Sequence, residues 1–217
     1  MITIIDSGIA NIGSVRRAIE RIGEPTAVAK APGVIESASA LILPGVGSFA
    51  DGMESLRRLN LIEPIRRAAG AGVPILGICL GMQLLAESGQ EFGQHEGLGL
   101  VPGCVVRLQP LLAGERVPNI GWCDVSLVRK SRLFCGIDDD TAFYFMHSYH
   151  LQCADPSQTV GTIAFGAGTA CAAVEAGNLF GVQFHPEKSQ DFGLQILHNF
   201  ILQAKRQGGL THASVRL

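Results

Sequence analysis

The chain has 217 residues, 47% of them hydrophobic, and a formal net charge of −2. That length suits one compact domain with a single core, and the near-neutral charge leaves no electrostatic footprint for nucleic acid. The sequence begins directly on a strand pattern without the features of a signal peptide, and no run reaches the ~18 apolar residues of a membrane helix, so a cytoplasmic protein away from membranes is expected.

Ile2–Ile5 reads as a strand, broken by Asp6-Ser7-Gly8. Residues 12–22 have helical spacing, with Ile12, Val15, Ile19 and Ile22 on one face and Arg16, Arg17, Glu20 and Arg21 off it. Thr26–Ala29 is a weaker strand, and 40–43 is a third, closed by Pro44-Gly45-Val46-Gly47. Helical patterning returns over 53–59 and 62–69; 73–78 is a fourth strand, followed by a helical run over 82–86. Continuous apolar strands separated by helices predict a parallel sheet covered on both faces. Further on, 104–108, 125–128, 142–146, 160–165 and 179–184 read as strands joined by short turns, which suggests antiparallel strands added to the parallel sheet. Residues 190–205 form a last amphipathic helix, ended by Gly208-Gly209, and 207–217 are expected to be a flexible tail. The expected fold class is α/β: a single three-layer domain over 1–206, with a central, mostly parallel sheet flanked by helices and extended by antiparallel strands.

Six cysteines are present and none forms a C-x-x-C pair, which removes zinc-ribbon and redox-motif readings. A free cysteine is by default a buried core residue. Cys79 departs from that default through its neighbours. Gly77-Ile78-Cys79-Leu80-Gly81 follows an apolar strand and precedes a helical run, which is the G-x-nucleophile-x-G elbow with Cys in place of Ser. The glycines permit a sharp turn that lifts the nucleophile above the carboxyl edge of the sheet, and the helix N-terminus favours a thiolate and offers N–H groups to an oxyanion.

A thiol nucleophile needs a base. Gly181-Val182-Gln183-Phe184-His185-Pro186-Glu187 supplies one after another apolar strand. Pro186 favours an extended His185, and residues two apart in extended chain share a side, so the Glu187 carboxylate can orient the imidazole. His95, His147, His150, His198 and His212 are weaker candidates. No H-E-x-x-H pattern or Walker loop exists in the sequence, so neither a catalytic metal nor ATP use is expected, and no cofactor is assigned.

These motifs resemble those of the class I, triad-type glutamine amidotransferases, and most closely the glutaminase subunits of imidazole glycerol phosphate synthases. The resemblance spans about 1–204 and extends to Asn11 to Val15, Leu43 to Phe49, Gly97 to Gly103, Val117 to Trp122 and Tyr144 to Tyr149. It implies that Cys79, His185 and Glu187 hydrolyse L-glutamine through a glutamyl thioester. It implies an oxyanion hole from the backbone of Leu80 and Val46, and glutamine binding by Gly47, Gln83, Glu91, Ser148 and Tyr149. It also implies a separate (β/α)8-barrel cyclase partner, docked through Asn11, Asn119, Trp122, Tyr144 and Lys188. That partner uses the ammonia to make imidazole glycerol phosphate and AICAR in histidine biosynthesis. Simpler readings stand beside these: Gln83 as a solvated helix residue, Tyr149 as a half-buried strand residue, Trp122 as core packing and Lys188 as a free surface charge. The chain departs from the family at Asp6-Ser7-Gly8-Ile9-Ala10-Asn11, where Asp-Tyr-Gly-x-Gly-Asn is usual. It departs again at Pro118-Asn119-Ile120-Gly121-Trp122-Cys123, where Pro-His-Met-Gly-Trp-Asn is usual. A paralogue feeding another amidation route, such as surface-sugar amidine formation, a silent scaffold, and a stand-alone cysteine hydrolase are the competing functions.

Overall fold

A computed structural model describes residues 1–207 of the chain. The first half runs β1 (Ile2–Ile5), α1 (Ile12–Arg21), β2 (Thr26–Ala29), α2 (Pro32–Glu36), β3 (Ala40–Gly45), α3 (Phe49–Arg58), α4 (Ile62–Gly70), β4 (Ile75–Cys79) and α5 (Leu80–Leu84). The second half runs β5 (Ala86–Gly89), β6 (His95–Glu96), β7 (Val101–Arg107), β8 (Asn119–Leu127), β9 (Thr141–His147), β10 (Tyr149–Cys153), β11 (Thr159–Phe165), β12 (Gly168–Ala176), β13 (Leu179–Val182) and α6 (Gln190–Gln207), with 3-10 turns at Pro156–Gln158 and Pro186–Lys188. Apart from Gln207 at the end of α6, the expected tail lies outside the described residues, as do Gly208 and Gly209.

Local chemistry sets the helix starts. Asn11 caps α1 by accepting the Ser14 N–H at 3.2 Å, and Ser48 caps α3 by accepting that of Asp51. The strands then assemble into a nine-stranded sheet in the order β2-β1-β3-β4-β13-β12-β11-β8-β9. The first five are mutually parallel, and β12, β11, β8 and β9 continue as an antiparallel extension. Alternate residues of β3 divide between two cores. Ala40 and Ile42 join Val15 and Ile19 of α1 and Ile196, Leu197 and Phe200 of α6. Leu41 and Leu43 join Phe49 and Leu56 of α3, Ile65 of α4 and Met82 of α5. This is the expected three-layer arrangement.

Two details correct the sequence reading. Residues 104–108 do not extend the main sheet: β7 belongs to a separate four-stranded sheet, order β10-β7-β5-β6, packed on the second core. The helical run read over 82–86 ends at Leu84, and Ala86 already opens β5.

The glycine after the nucleophile has a steric reason. A Cβ on Gly81 would lie 1.7 Å from the carbonyl oxygen of Leu43 in β3. Gly81→Ala therefore forces backbone apart where two elements meet, and about 3 kcal/mol or more of stability should be lost. A denaturant melt unchanged by this substitution would show that β3 and α5 are not so closely packed.

Candidate active site

Three neighbouring strands end together. β3, β4 and β13 lie side by side, with Gly45 paired to Cys79 and Val182 to Ile78. The Pro44 to Gly47 segment, the elbow and the His185 segment thus meet at the carboxyl edge of the parallel strands, where open α/β sheets place their ligands.

Cys79 is 6% exposed and has φ 54° and ψ −113°. Positive φ on a residue with a Cβ is strained by ~1–3 kcal/mol, a cost that persists only where the surroundings over-determine it. Here β4 and α5 fix both sides of the residue. Leu80 opens α5, where a helix leaves its first N–H groups without an internal partner.

His185 is 2% exposed and extended, with φ −100° and ψ 96°. Its Nδ1 bonds the Glu187 carboxylate at 2.8 Å. Glu187 does not reach it by the strand alternation that the sequence suggests. The chain turns into 3-10 conformation at Pro186, and that turn brings the carboxylate back. Ser189 ties the segment down by accepting the Tyr144 N–H and donating to the His185 carbonyl. Nε2 of His185 is buried with no hydrogen-bond partner. Burial alone would push this imidazole's pKa down, but the adjacent Cys79 sulfur and the Glu187 carboxylate outweigh it and raise the pKa to about 9. Sulfur and imidazole are thus neighbours whose interaction raises the pKa of the ring.

A cavity of about 160 Å³ opens beside the sulfur, lined by Val46, Gly47, Cys79, Leu80, Gln83, Glu91, Pro118 and the Met146 to Tyr149 segment. Every residue expected to bind glutamine or form the oxyanion hole lines it. Gln83 is 5% exposed, which removes its reading as a solvated helix residue. Glu91 accepts the Phe49 N–H at the start of α3 through one carboxylate oxygen, leaving the other for a ligand. The Val46 N–H is engaged elsewhere: it donates to the Ile9 carbonyl at 2.9 Å.

His147, a weaker candidate in the sequence, lines the same cavity. Burial pushes its pKa down to about 4, so the ring is neutral near pH 7. Nδ1 donates to the Tyr149 carbonyl at 2.9 Å, which leaves Nε2 to accept from Asn119 at 3.2 Å.

Trp122, Tyr144 and Lys188 form one surface cluster. Trp122 is 49% exposed, not core, and meets Tyr144 edge to face at 6.0 Å. The Lys188 ammonium lies 5.6 Å from the Tyr144 ring centroid. Asn11 is also exposed. Asn119 and Cys123, two positions that depart from the family pattern, contact each other at 3.6 Å.

The model of the family "Glutamine amidotransferase class-I" matches residues 3–204. The "Imidazole glycerol phosphate synthase subunit HisH" of Moorella thermoacetica is 46% identical over 211 residues, covering 97% of this chain and 99% of the relative. The protein of the same description from Syntrophotalea carbinolica is 44% identical over 204 residues, covering 92% and 98%. Among solved structures, one described as a glutamine amidotransferase superposes with a TM-score of 0.73 at 18% identity, covering 96% of this chain and 98% of the other, a likeness of fold. On this sequence match and this fold, the chain belongs to the class I glutamine amidotransferase family.

Proposed function

We propose that the chain is the glutamine-hydrolysing subunit of a cytoplasmic imidazole glycerol phosphate synthase, with Cys79, His185 and Glu187 as its catalytic triad. The observation that carries the reading is His185: its Nδ1 is held by Glu187 and its Nε2 is unpartnered beside a strained cysteine at a cavity mouth. Glutamine enters that cavity with its side-chain amide toward the sulfur. The thiol proton passes to Nε2, and sulfur attacks the amide carbon. The tetrahedral oxyanion sits at the Leu80 N–H and, once it is turned inward, the Val46 N–H. The imidazolium returns its proton to the departing nitrogen, ammonia leaves and a glutamyl thioester remains. Water, deprotonated by Nε2, then releases glutamate and the thiol. Glu187 keeps the imidazole in the tautomer and orientation these transfers need.

Ammonia is consumed on another polypeptide, a (β/α)8-barrel cyclase; the reading is supported by relatives that are described as one subunit of a synthase. The exposed face that carries Asn11, Asn119, Trp122, Tyr144 and Lys188 receives that partner. Its paired aromatics, Trp122 and Tyr144, suit the centre of a protein interface. The division of labour is tested with a complex whose Cys79 is replaced by Ser. Glutamine-dependent synthesis should be lost, and free ammonia should restore synthesis. Failure of ammonia to rescue would defeat the two-chain scheme.

A further inference from the structure

Gln183 lies two residues before His185 and is fully buried, with 0% exposure. A buried primary amide must find partners inside the protein, and those of Gln183 run in a directed series. The Tyr149 carbonyl can only accept. It takes the His147 Nδ1–H at 2.9 Å and an Nε2–H of Gln83 at 2.9 Å, filling both lone pairs. Gln83 must therefore turn its nitrogen, not its oxygen, toward Tyr149. The same nitrogen donates to Oε1 of Gln183 at 3.0 Å. Gln183 is then fixed with its oxygen toward Gln83 and its nitrogen on the other side, where Nε2 lies 3.7 Å from the Cys79 sulfur. Flipping Gln83 would set oxygen against oxygen, and flipping Gln183 alone would set nitrogen against nitrogen. One backbone carbonyl thereby fixes the polarity of both side chains.

We propose that Gln183 stabilises the ionised Cys79 sulfur by an N–H···S⁻ hydrogen bond, as a donor separate from both the triad and the oxyanion hole. This inference rests on Cys79 being the nucleophile. When the thiol proton moves to His185, the sulfur gains charge and the Gln183 contact becomes charge-assisted, hence shorter and stronger. His185 and Gln183, two apart in the sequence, thus serve the same sulfur from one strand end. Because Gln83 both lines the glutamine cavity and orients Gln183, the amide that meets substrate is mechanically joined to the one that meets the nucleophile.

Gln183→Glu separates this role from support of Gln83. A carboxylate still accepts the Gln83 N–H, but it turns an oxygen instead of an N–H toward the sulfur. Cys79 of the full chain is alkylated with iodoacetamide across pH and followed by peptide mass spectrometry. The expected result is about ten-fold slower labelling near neutral pH, with the pH profile moved up by about one unit. In the partner complex, kcat for glutamine hydrolysis should fall about ten-fold with KM changed less than about two-fold, since the bond to Gln83 survives. Gln183→Met, neutral and of similar length but without a donor, should shift both readouts in the same direction, and it decides the matter if the carboxylate unfolds the chain. Unchanged alkylation profiles in the folded variants, or a loss confined to KM, would overturn the role of Gln183. Failure of Cys79 to outpace the other five cysteines in the unsubstituted chain would instead overturn the nucleophile assignment itself.

Discussion

Replacing Cys79 by Ser is expected to lower glutamine hydrolysis by at least about a thousand-fold while the chain still folds. The two side chains differ by one atom, and the strained backbone at this position is set by β4, α5 and the flanking glycines, none of which changes. What changes is ionisation. A hydroxyl next to His185 holds its proton far more tightly than a thiol, so little nucleophile forms near neutral pH. The His185 pKa should move with it, because the sulfur is part of what raises that pKa to about 9. In the unsubstituted chain the imidazolium, the proposed proton donor to the departing nitrogen, persists until the pH rises through about 9. The ammonia-releasing step should therefore decline above that pH, not near the ~6.5 of a free histidine. A diazo-ketone analogue of glutamine should attach to Cys79. Attachment to another cysteine with Cys79 untouched would end the assignment.

How far the sequence reveals this site depends on how local each signal is. The elbow is legible because two glycines, a strand and a helix lie within a few residues of Cys79, and each has its own steric reason. The parallel half of the sheet is legible because β1, β3 and β4 are continuous apolar runs between amphipathic helices. The second sheet is not. Its β5 and β6 have 4 and 2 residues, too few for a period to register. β12 escapes a sequence reading for a different reason. It is rich in alanine and buried over most of its length, so it has neither strand propensity nor alternation, and its neighbours β11 and β13 hold it in place. The same holds for side chains. His185 and Glu187 are neighbours in sequence and pair on that ground alone, though through a turn that the sequence pattern does not reveal. His147 acquires its Nε2 partner from Asn119, 28 positions away on β8, and Gln183 its partners from residues about a hundred positions away. Nothing in the local sequence of either reports those contacts.

Hydrolysis by the isolated chain should be slow, and the complex with the cyclase and its nucleotide substrate should run about a hundred- to a thousand-fold faster. The motivation is the Val46 N–H, the second expected oxyanion donor, which is bonded to the Ile9 carbonyl at 2.9 Å. One missing donor accounts for a loss of that size, about 3–4 kcal/mol of barrier. Turning the Gly45–Val46 peptide inward changes ψ of Gly45, which has no Cβ to resist. It also changes φ of Val46, whose branched Cβ opposes positive φ. The inward state is thus reachable but disfavoured, and it gives up the Ile9 bond as well. Ile9, half-buried against the second core, lies two residues before Asn11, an exposed residue assigned to the partner. Docking there can draw the Ile9 carbonyl away and favour the turned peptide, through a difference in partner affinity for the two states. Val46→Gly removes the steric part of the penalty. It should raise the rate of the isolated chain about ten-fold and shrink the stimulation by the partner correspondingly. Glutamate release is measured with the chain alone, with the cyclase, and with the cyclase plus nucleotide. Equal rates in all three would remove conditional activation while leaving the triad intact. Stimulation only by an unrelated acceptor system would move the chain to a different amidation route.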